Sequence, residues 1–169
     1  MPLDSALGAV VRRDEAYYIR TITSRIGLAR LPYRRLITSP DFKPMTEDDM
    51  PGYAIISRSM LRSLDRLAVR RDKGVAVVGE CRLALALCAY REESGSYPAT
   101  LAQISRNLGR KLPADPFSGR DFVYKRQGKG FLLYSIGPNL KDDGGIEAKP
   151  AKAAEFSARQ DDIVWRMDR

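Results

Sequence analysis

The sequence predicts an α+β fold, in which a long helix packs on a small antiparallel β-sheet and an N-terminal helical extension precedes both. Two observations carry this prediction. Between residues 54 and 93, apolar side chains recur at three- and four-residue spacing, which is the period of an amphipathic helix. Two β-rich runs, 122–127 and 131–136, then flank a turn centred on Gly128, which is the pattern of a β-hairpin.

The first part of the chain reads as a helical extension. A helix is expected over residues 7–30, before the stop at Pro32, and Pro51 with Gly52 ends the connector that follows. We therefore divide the 169 residues into a basic helical extension and connector over 1–53 and a domain over 54–169.

The domain begins with the helix over 54–93. Its apolar positions are Met60, Leu61, Leu64, Leu67, Ala68, Val75, Val78, Cys81, Leu85 and Cys88. Gly74 and Gly79 weaken its middle, so the segment is either two helices or one helix with a bend. Pro98 forbids its continuation, and a short helix over 100–107 follows. The sheet is expected over 121–136, with a last strand over 163–166.

Composition excludes several chemistries. The chain has no histidine, which removes Ser-His-Asp and Cys-His catalysis and imidazole metal ligation. Two cysteines cannot form a four-thiolate zinc site, and two turns of helix would hold Cys81 and Cys88 about 10 Å apart, too far for a disulfide. They are expected to be small buried hydrophobes. The formal net charge of +8 indicates an anionic partner.

The sequence offers no membrane span. Its longest uninterrupted apolar run is residues 83–90, well short of the ~18–20 residues that a span needs. The first residues lack the basic start and apolar centre of a signal peptide. A longer, anchored protein that contains this chain remains an open alternative.

Four arginines follow one another at four-residue spacing on the predicted helix. Arg58, Arg62, Arg66 and Arg70 would form a slanting basic stripe. One interpretation is an anion-binding surface for nucleic acid or anionic lipid. The other, which we favour, is the solvated face of an amphipathic helix, because no aromatic residues interleave for base stacking.

Oxygen-bearing side chains cluster near the C-terminus, and they suit a hard cation. They are Asn139, Asp142, Asp143, Asp161 and Asp162. Calcium takes six to eight oxygen ligands from such groups and from backbone carbonyls, although this spacing is not that of an EF-hand. Two other interpretations stay open: a solvated acidic loop, and an acid/base pair of carboxylates in a hydrolase.

The stretch from residue 83 onward resembles a known family. The segments LALALCAYREESGSYPATLAQI (83–104), LPADPFSGRDFVYKRQGKGFLLYSIGPNLKDDGG (112–145) and DDIVW (161–165) follow one another in the family's order. Together they resemble the C-terminal domain of the major pseudopilin of bacterial type II secretion systems, over about half of the chain. Residues 1–78 do not resemble the leader and the long apolar helix with which that family begins.

The resemblance implies a calcium site in the loop before the last strand, where the ion stabilises the subunit for polymerisation. Asn139 stands where the family usually has an aspartate, and Asp162 matches the aspartate that precedes isoleucine. Asp142, Asp143 and Asp161 are neighbours of those positions, and a further ligand position of the family falls on Gln160.

The resemblance also implies a function and a place. We expect a non-enzymatic structural or interaction module of the bacterial cell envelope, on its extracytoplasmic side. Protein partners or self-assembly follow from this, and a small-molecule substrate does not. The alternative is a nucleic-acid-binding protein that uses the arginine stripe of the helix over 54–73.

Overall fold

The computed structural model describes residues 6–44, 46, 48–61, 65–146 and 162–167. It has five helices and three strands in these residues. In chain order they are α1 (Ala6–Ala29), α2 (Tyr33–Leu36), α3 (Ile55–Leu61), α4 (Asp65–Ser94), α5 (Leu101–Leu108), β1 (Val123–Gln127), β2 (Gly130–Ser135) and β3 (Ile163–Met167). The chain forms two compact units, Met1–Arg71 and Asp72–Arg169, so that α4 runs through the division.

The first unit is held together by α1 and α3. Its core cluster consists of Met50, Ala54 and Leu61, which are nearly or fully buried. Three half-buried side chains of α1 pack against this cluster: Tyr17, Tyr18 and Ile22. The ring of Tyr17 also meets that of Tyr53 edge to face, with 6.3 Å between the ring centres.

A carboxylate of α1 caps the beginning of α3. Asp14 is buried, and its oxygens accept hydrogen bonds from the backbone N–H groups of Ile56, at 2.7 Å, and Ser57, at 3.2 Å. The Ser57 hydroxyl donates to the same carboxylate. Burial raises the pKa of Asp14, but these hydrogen bonds outweigh burial and hold the pKa below its ordinary value. The first turn of α3 therefore obtains its cap from a distant part of the chain.

The second unit is built on a three-stranded antiparallel sheet with β2 in the centre. Tyr124 of β1 pairs with Leu133 of β2, which pairs in turn with Trp165 of β3. Every residue of β2 is buried, since β2 has a strand on each side and is covered on both faces. The β1–β2 turn holds Gly128 at a φ of 54°, a conformation that favours glycine.

Helix α4 packs on one face of this sheet. Ala76, Leu83 and Leu87 are almost fully buried there. Gly79 allows α4 to approach Phe122 closely, because a Cβ atom at this position would lie 2.8 Å from Cζ of Phe122. The predicted apolar positions Leu61 and Ala68 are buried. From residue 75 onward the predicted face is wrong, since Val75 and Val78 are each 51% exposed and Leu85 is 72% exposed.

Most of the elements agree with the sequence prediction, and the α+β class is confirmed. Helix α1 covers the helix expected over 7–30, α5 the one expected over 100–107, and the three strands lie where the β-rich runs predict them. The helix expected over 54–93 corresponds to α3 and α4, and residues 62–64 between them lie outside the described residues. The units divide after Arg71, whereas the sequence pattern predicts a boundary at residue 53. Cys81 and Cys88 are free thiols and are half-buried, rather than fully buried as expected.

Candidate functional site

Four of the predicted metal-ligating residues lie at one end of the sheet. Strand β2 ends at Ser135, which pairs with Ile163, the first residue of β3. The chain that leaves β2 forms a loop over 136–146, and Asp162 immediately precedes β3. The pairing of the two strands therefore brings Asp162 next to this loop.

The loop carries its own hydrogen-bond network. Asn139 donates from its amide Nδ2 to Oδ2 of Asp143 at 2.6 Å, and its Oδ1 accepts from the backbone N–H of Lys141 at 2.9 Å. Asp142 Oδ1 accepts from the hydroxyl of Tyr134 at 2.8 Å, which ties the loop to β2. The pKa of Asp142 is lowered by this bond and by a second one from the N–H of Gly144.

Gly145 brings the end of the loop onto the face of the sheet opposite α4. Its φ is +82°, and a Cβ atom there would lie 2.9 Å from Cδ2 of Leu132 and 3.2 Å from Cδ1 of Tyr134. Leu132 and Tyr134 alternate along β2 with Leu133, which pairs with Tyr124 of β1. Phe122, two residues before Tyr124, lies against Gly79 of α4, so Leu132 and Tyr134 are on the other face. The backbone N–H of Gly145 donates to Oδ2 of Asp162 at 2.8 Å, which fastens the loop to the start of β3.

Asp162, beside this loop, has a buried carboxylate oxygen without a hydrogen-bond partner. It is only 4% exposed, and its Oδ1 is buried without a hydrogen-bond partner, while Oδ2 has Gly145. Burial raises its pKa, and the nearby charges of Asp143 and Asp142 raise it further, although N–H groups of Gly145 and Asp143 oppose the shift. A buried carboxylate oxygen without a partner carries a free-energy cost that a bound cation would remove.

Four of the five predicted ligands thus share one neighbourhood: Asn139, Asp142, Asp143 and Asp162. Asp161, like Gln160, lies outside the described residues. Within the part of the chain that is described, no three acidic or cysteine side chains are close enough to hold a metal ion by themselves. Amide oxygens, backbone carbonyls and water would have to complete a calcium shell of six to eight oxygens.

The predicted arginine stripe is described only in part. Arg58 lies on α3 and is half-buried, and its Nε is buried without a hydrogen-bond partner. Arg70 lies on α4 and is exposed. Arg62 and the side chain of Arg66 are outside the described residues, so a continuous anion-binding surface remains a prediction from the sequence.

The sequence analysis missed a buried polar network between α4 and the sheet. Glu80 Oε1 accepts a hydrogen bond from the backbone N–H of Ser135 at 3.0 Å, and the Ser135 hydroxyl donates to Oδ1 of Asp115 at 2.6 Å. Asp115 also accepts from the N–H groups of Phe117 and Ser118. Burial raises the pKa of Glu80 to about 8. The hydrogen bond from Ser135 lowers this pKa, and the nearby charge of Asp115 raises it.

A signal for Glu80 does exist in the sequence. It lies four residues after Ala76 and three before Leu83, both on the buried face of α4, so a carboxyl group at this spacing indicates a buried polar contact.

Comparison with known proteins adds no identification. No family model matches the chain, and searches of curated proteins and of solved structures return no match. Within the described residues, none of the helices combines the length and the apolar character that crossing a membrane requires.

Proposed function

We propose that this chain is a non-enzymatic structural or interaction module, similar to the head domain of a type II secretion pseudopilin, and that calcium stabilises the loop of its second unit. The module would act in the bacterial cell envelope, through protein partners or self-assembly. The packing of α4 on a three-stranded antiparallel sheet supports the proposal of a pseudopilin-like module, because the resemblance implies a helix on such a sheet.

The observation that carries the calcium proposal is the buried, unpartnered Oδ1 of Asp162. This oxygen belongs to a carboxylate that the backbone of Gly145 holds in place beside two further aspartates of the loop. A hard cation prefers such oxygens, and its charge would offset the mutual repulsion of the carboxylates.

The side chains that would hold the ion are those of Asp162, Asp143 and Asn139, with Asp142 and Asp161 as further candidates. Asp142 is the least available of the described ones, because the Tyr134 hydroxyl and the Gly144 N–H occupy its Oδ1. The ion would link the loop to the start of β3. Its role would be stabilisation rather than chemistry.

Thermal unfolding of the full chain tests this proposal. We expect calcium to raise the melting temperature and excess chelator to return it to its starting value. At one hundred times the dissociation constant, a ligand adds about 2.7 kcal/mol to the free energy of unfolding, which corresponds to roughly 5–10 °C for a chain of this size. Magnesium serves as the ionic control, since it demands near-octahedral geometry and dehydrates reluctantly.

A matched pair of variants assigns the effect to the loop. Asp162→Asn keeps an acceptor for Gly145 but removes the buried charge, so we expect it to abolish the calcium shift without lowering the melting temperature in chelator. Asp121→Asn changes an exposed carboxylate of the same unit and should leave the shift intact. A wild-type melting temperature that is indifferent to millimolar calcium would remove the metal from the proposal.

A further inference from the structure

An apolar pocket of about 210 Å³ lies within the first unit. Its walls include Ile26 of α1, Leu36 of α2, Leu67 of α4 and Phe42, which follows α2 in the chain. Two of these side chains remain largely open to solvent, since Ile26 is 51% and Leu67 is 48% exposed. An apolar cavity of about 150 Å³ is large enough to take a benzene ring, so this pocket has room for an aromatic or leucine side chain.

Hydrogen bonds fix the walls of the pocket. Arg25, which lines it, donates from Nη2 to the carbonyl of Lys43 at 2.7 Å, and so ties α1 to the segment that carries Phe42. Arg71 donates to the carbonyls of Ala29 and Leu31, each at 2.6 Å, and ties α4 to the end of α1. The pocket is therefore already formed in the free protein, which lowers the entropic cost of filling it.

The chain segments that line the pocket are rich in basic residues. Residues 16–44 contain six basic side chains and one acidic one, and one of the six, Lys43, forms an ion pair with Asp49 at 2.6 Å. Arg30 and Arg35 are exposed and adjoin the lining residues Ala29 and Leu36 in the chain, and the exposed Arg70 follows Leu67 by one helical turn. A partner must therefore combine an apolar group for the pocket with negative charge around that group.

We infer that this pocket binds an acidic amphipathic helix of a partner protein, which inserts one aromatic or leucine side chain and presents carboxylates to Arg30, Arg35 and Arg70. The volume of the pocket matches a single side chain as an anchor, in the way that interface hot spots fill pockets.

Fluorescence anisotropy with designed peptides tests the inference on the full chain. The probes are labelled helical peptides of about 15–18 residues, with Glu on the polar face and Phe, Trp or Leu as the anchor. We expect dissociation constants in the micromolar range at low salt and weaker binding as the salt concentration rises. The same peptides with Lys in place of Glu, or with Ala as the anchor, should bind at least tenfold more weakly.

Variants of the protein locate the binding. Ala29→Trp fills the pocket from a position that is exposed, and Arg30→Glu with Arg35→Glu reverses the nearby charge. We expect each to weaken binding at least tenfold. Lys129→Glu, on the exposed β1–β2 turn of the second unit, is the charge control and should change binding less than twofold.

Three results would overturn the inference. One is that no acidic peptide of the panel binds at low salt. Another is that Lys129→Glu weakens binding as much as the arginine variants do, which would indicate a general charge effect. The last is that phosphatidylglycerol vesicles bind the wild type but not Ala29→Trp, while the peptides do not bind. This result would show that the pocket binds lipid.

Discussion

The carboxyl group of Glu80 accepts a hydrogen bond from the backbone N–H of Ser135, with 3.0 Å between Oε1 and the nitrogen. Both residues are buried, at 2% and 0% exposure, so the bond joins α4 to the central strand inside the core of the second unit. A buried carboxyl group beside the Asp115 carboxylate favours its protonated form, and the pKa of Glu80 is accordingly raised to about 8 from an ordinary value of 4.5.

This raised pKa predicts that the chain loses stability with rising pH. Between pH 4.5 and about 8, the folded protein keeps a proton on Glu80 that the unfolded chain releases. The contribution of Glu80 to the free energy of unfolding therefore falls through this window, by up to ~1.4 kcal/mol per pH unit, and levels off above it.

Glu80→Gln should remove this contribution, because the amide oxygen can still accept the bond from Ser135 but the side chain does not ionise. Urea denaturation from pH 5 to 9 measures the difference between the wild type and the variant. Glu92→Gln, which changes an exposed carboxyl group on the same helix, should follow the wild-type curve. Equal pH slopes for wild type and Glu80→Gln would show that Glu80 is ionised in the fold.

Two glycines of α4 should respond in opposite ways to alanine. At Gly74 a Cβ atom would have no neighbour within 4 Å, so Gly74→Ala should stabilise the helix by about 0.5–1 kcal/mol. At Gly79 the new atom would lie 2.8 Å from the ring of Phe122, which is buried and has little room to move. Gly79→Ala should therefore destabilise the second unit by about 1–3 kcal/mol.

Chemical denaturation followed by circular dichroism compares the two glycine variants directly, since the substitution and the helix are the same. If Gly79→Ala stabilised the chain as much as Gly74→Ala, the close packing of α4 on Phe122 would be refuted.

Local patterns explain which parts of the fold could be predicted. Helix α1 and the hairpin of β1 and β2 follow from periodicity and turn residues, which act over a few neighbouring positions. The face that α4 buries could not be chosen in this way, because apolar residues occur on more than one of its sides. The correct face carries Ala76 and Gly79, whose small size permits close packing but gives a weak hydrophobic signal.

The candidate site also has a part that the local sequence predicts and a part that it does not. The proximity of Asn139, Asp142 and Asp143 is evident from their positions in one loop. The sequence pattern also proposes Asp162 as a ligand, and the resemblance supports that choice. The burial of Asp162 and the bond from Tyr134 to Asp142 depend on how β2 pairs with β3 and how the loop folds back over the sheet. Contacts between segments so far apart in the chain cannot be predicted from the local sequence.

Removal of the Asp14 carboxylate should destabilise the first unit. Asp14→Ala leaves the N–H groups of Ile56 and Ser57 without their acceptor at the start of α3, which costs about 1–3 kcal/mol. Hydrogen exchange at these two amides should accelerate, while Glu15→Ala, which alters the exposed neighbouring carboxylate, should leave it unchanged.

The lowered pKa of Asp14 also gives the cap a pH dependence. The stabilising contribution is complete above the ordinary pKa of 3.8 and is lost as the pH falls through the lower value in the fold. Exchange at Ile56 and Ser57 that is equally slow in wild type and Asp14→Ala would refute the cap.

Adjacent glycines of the loop provide the sharpest test of how it packs on the sheet. Gly144 and Gly145 have nearly the same φ, +79° and +82°, so alanine at either position incurs a similar backbone strain of about 1–2 kcal/mol. Only at Gly145 does the new methyl group also meet Leu132 and Tyr134. We expect thermal unfolding in chelator to show that Gly145→Ala lowers the free energy of unfolding by about 2–4 kcal/mol. Gly144→Ala should lower it only by the backbone strain of about 1–2 kcal/mol. Equal losses would mean that the loop does not lie against β2, and Asp162 would then lack the cover that makes its carboxylate a buried ligand.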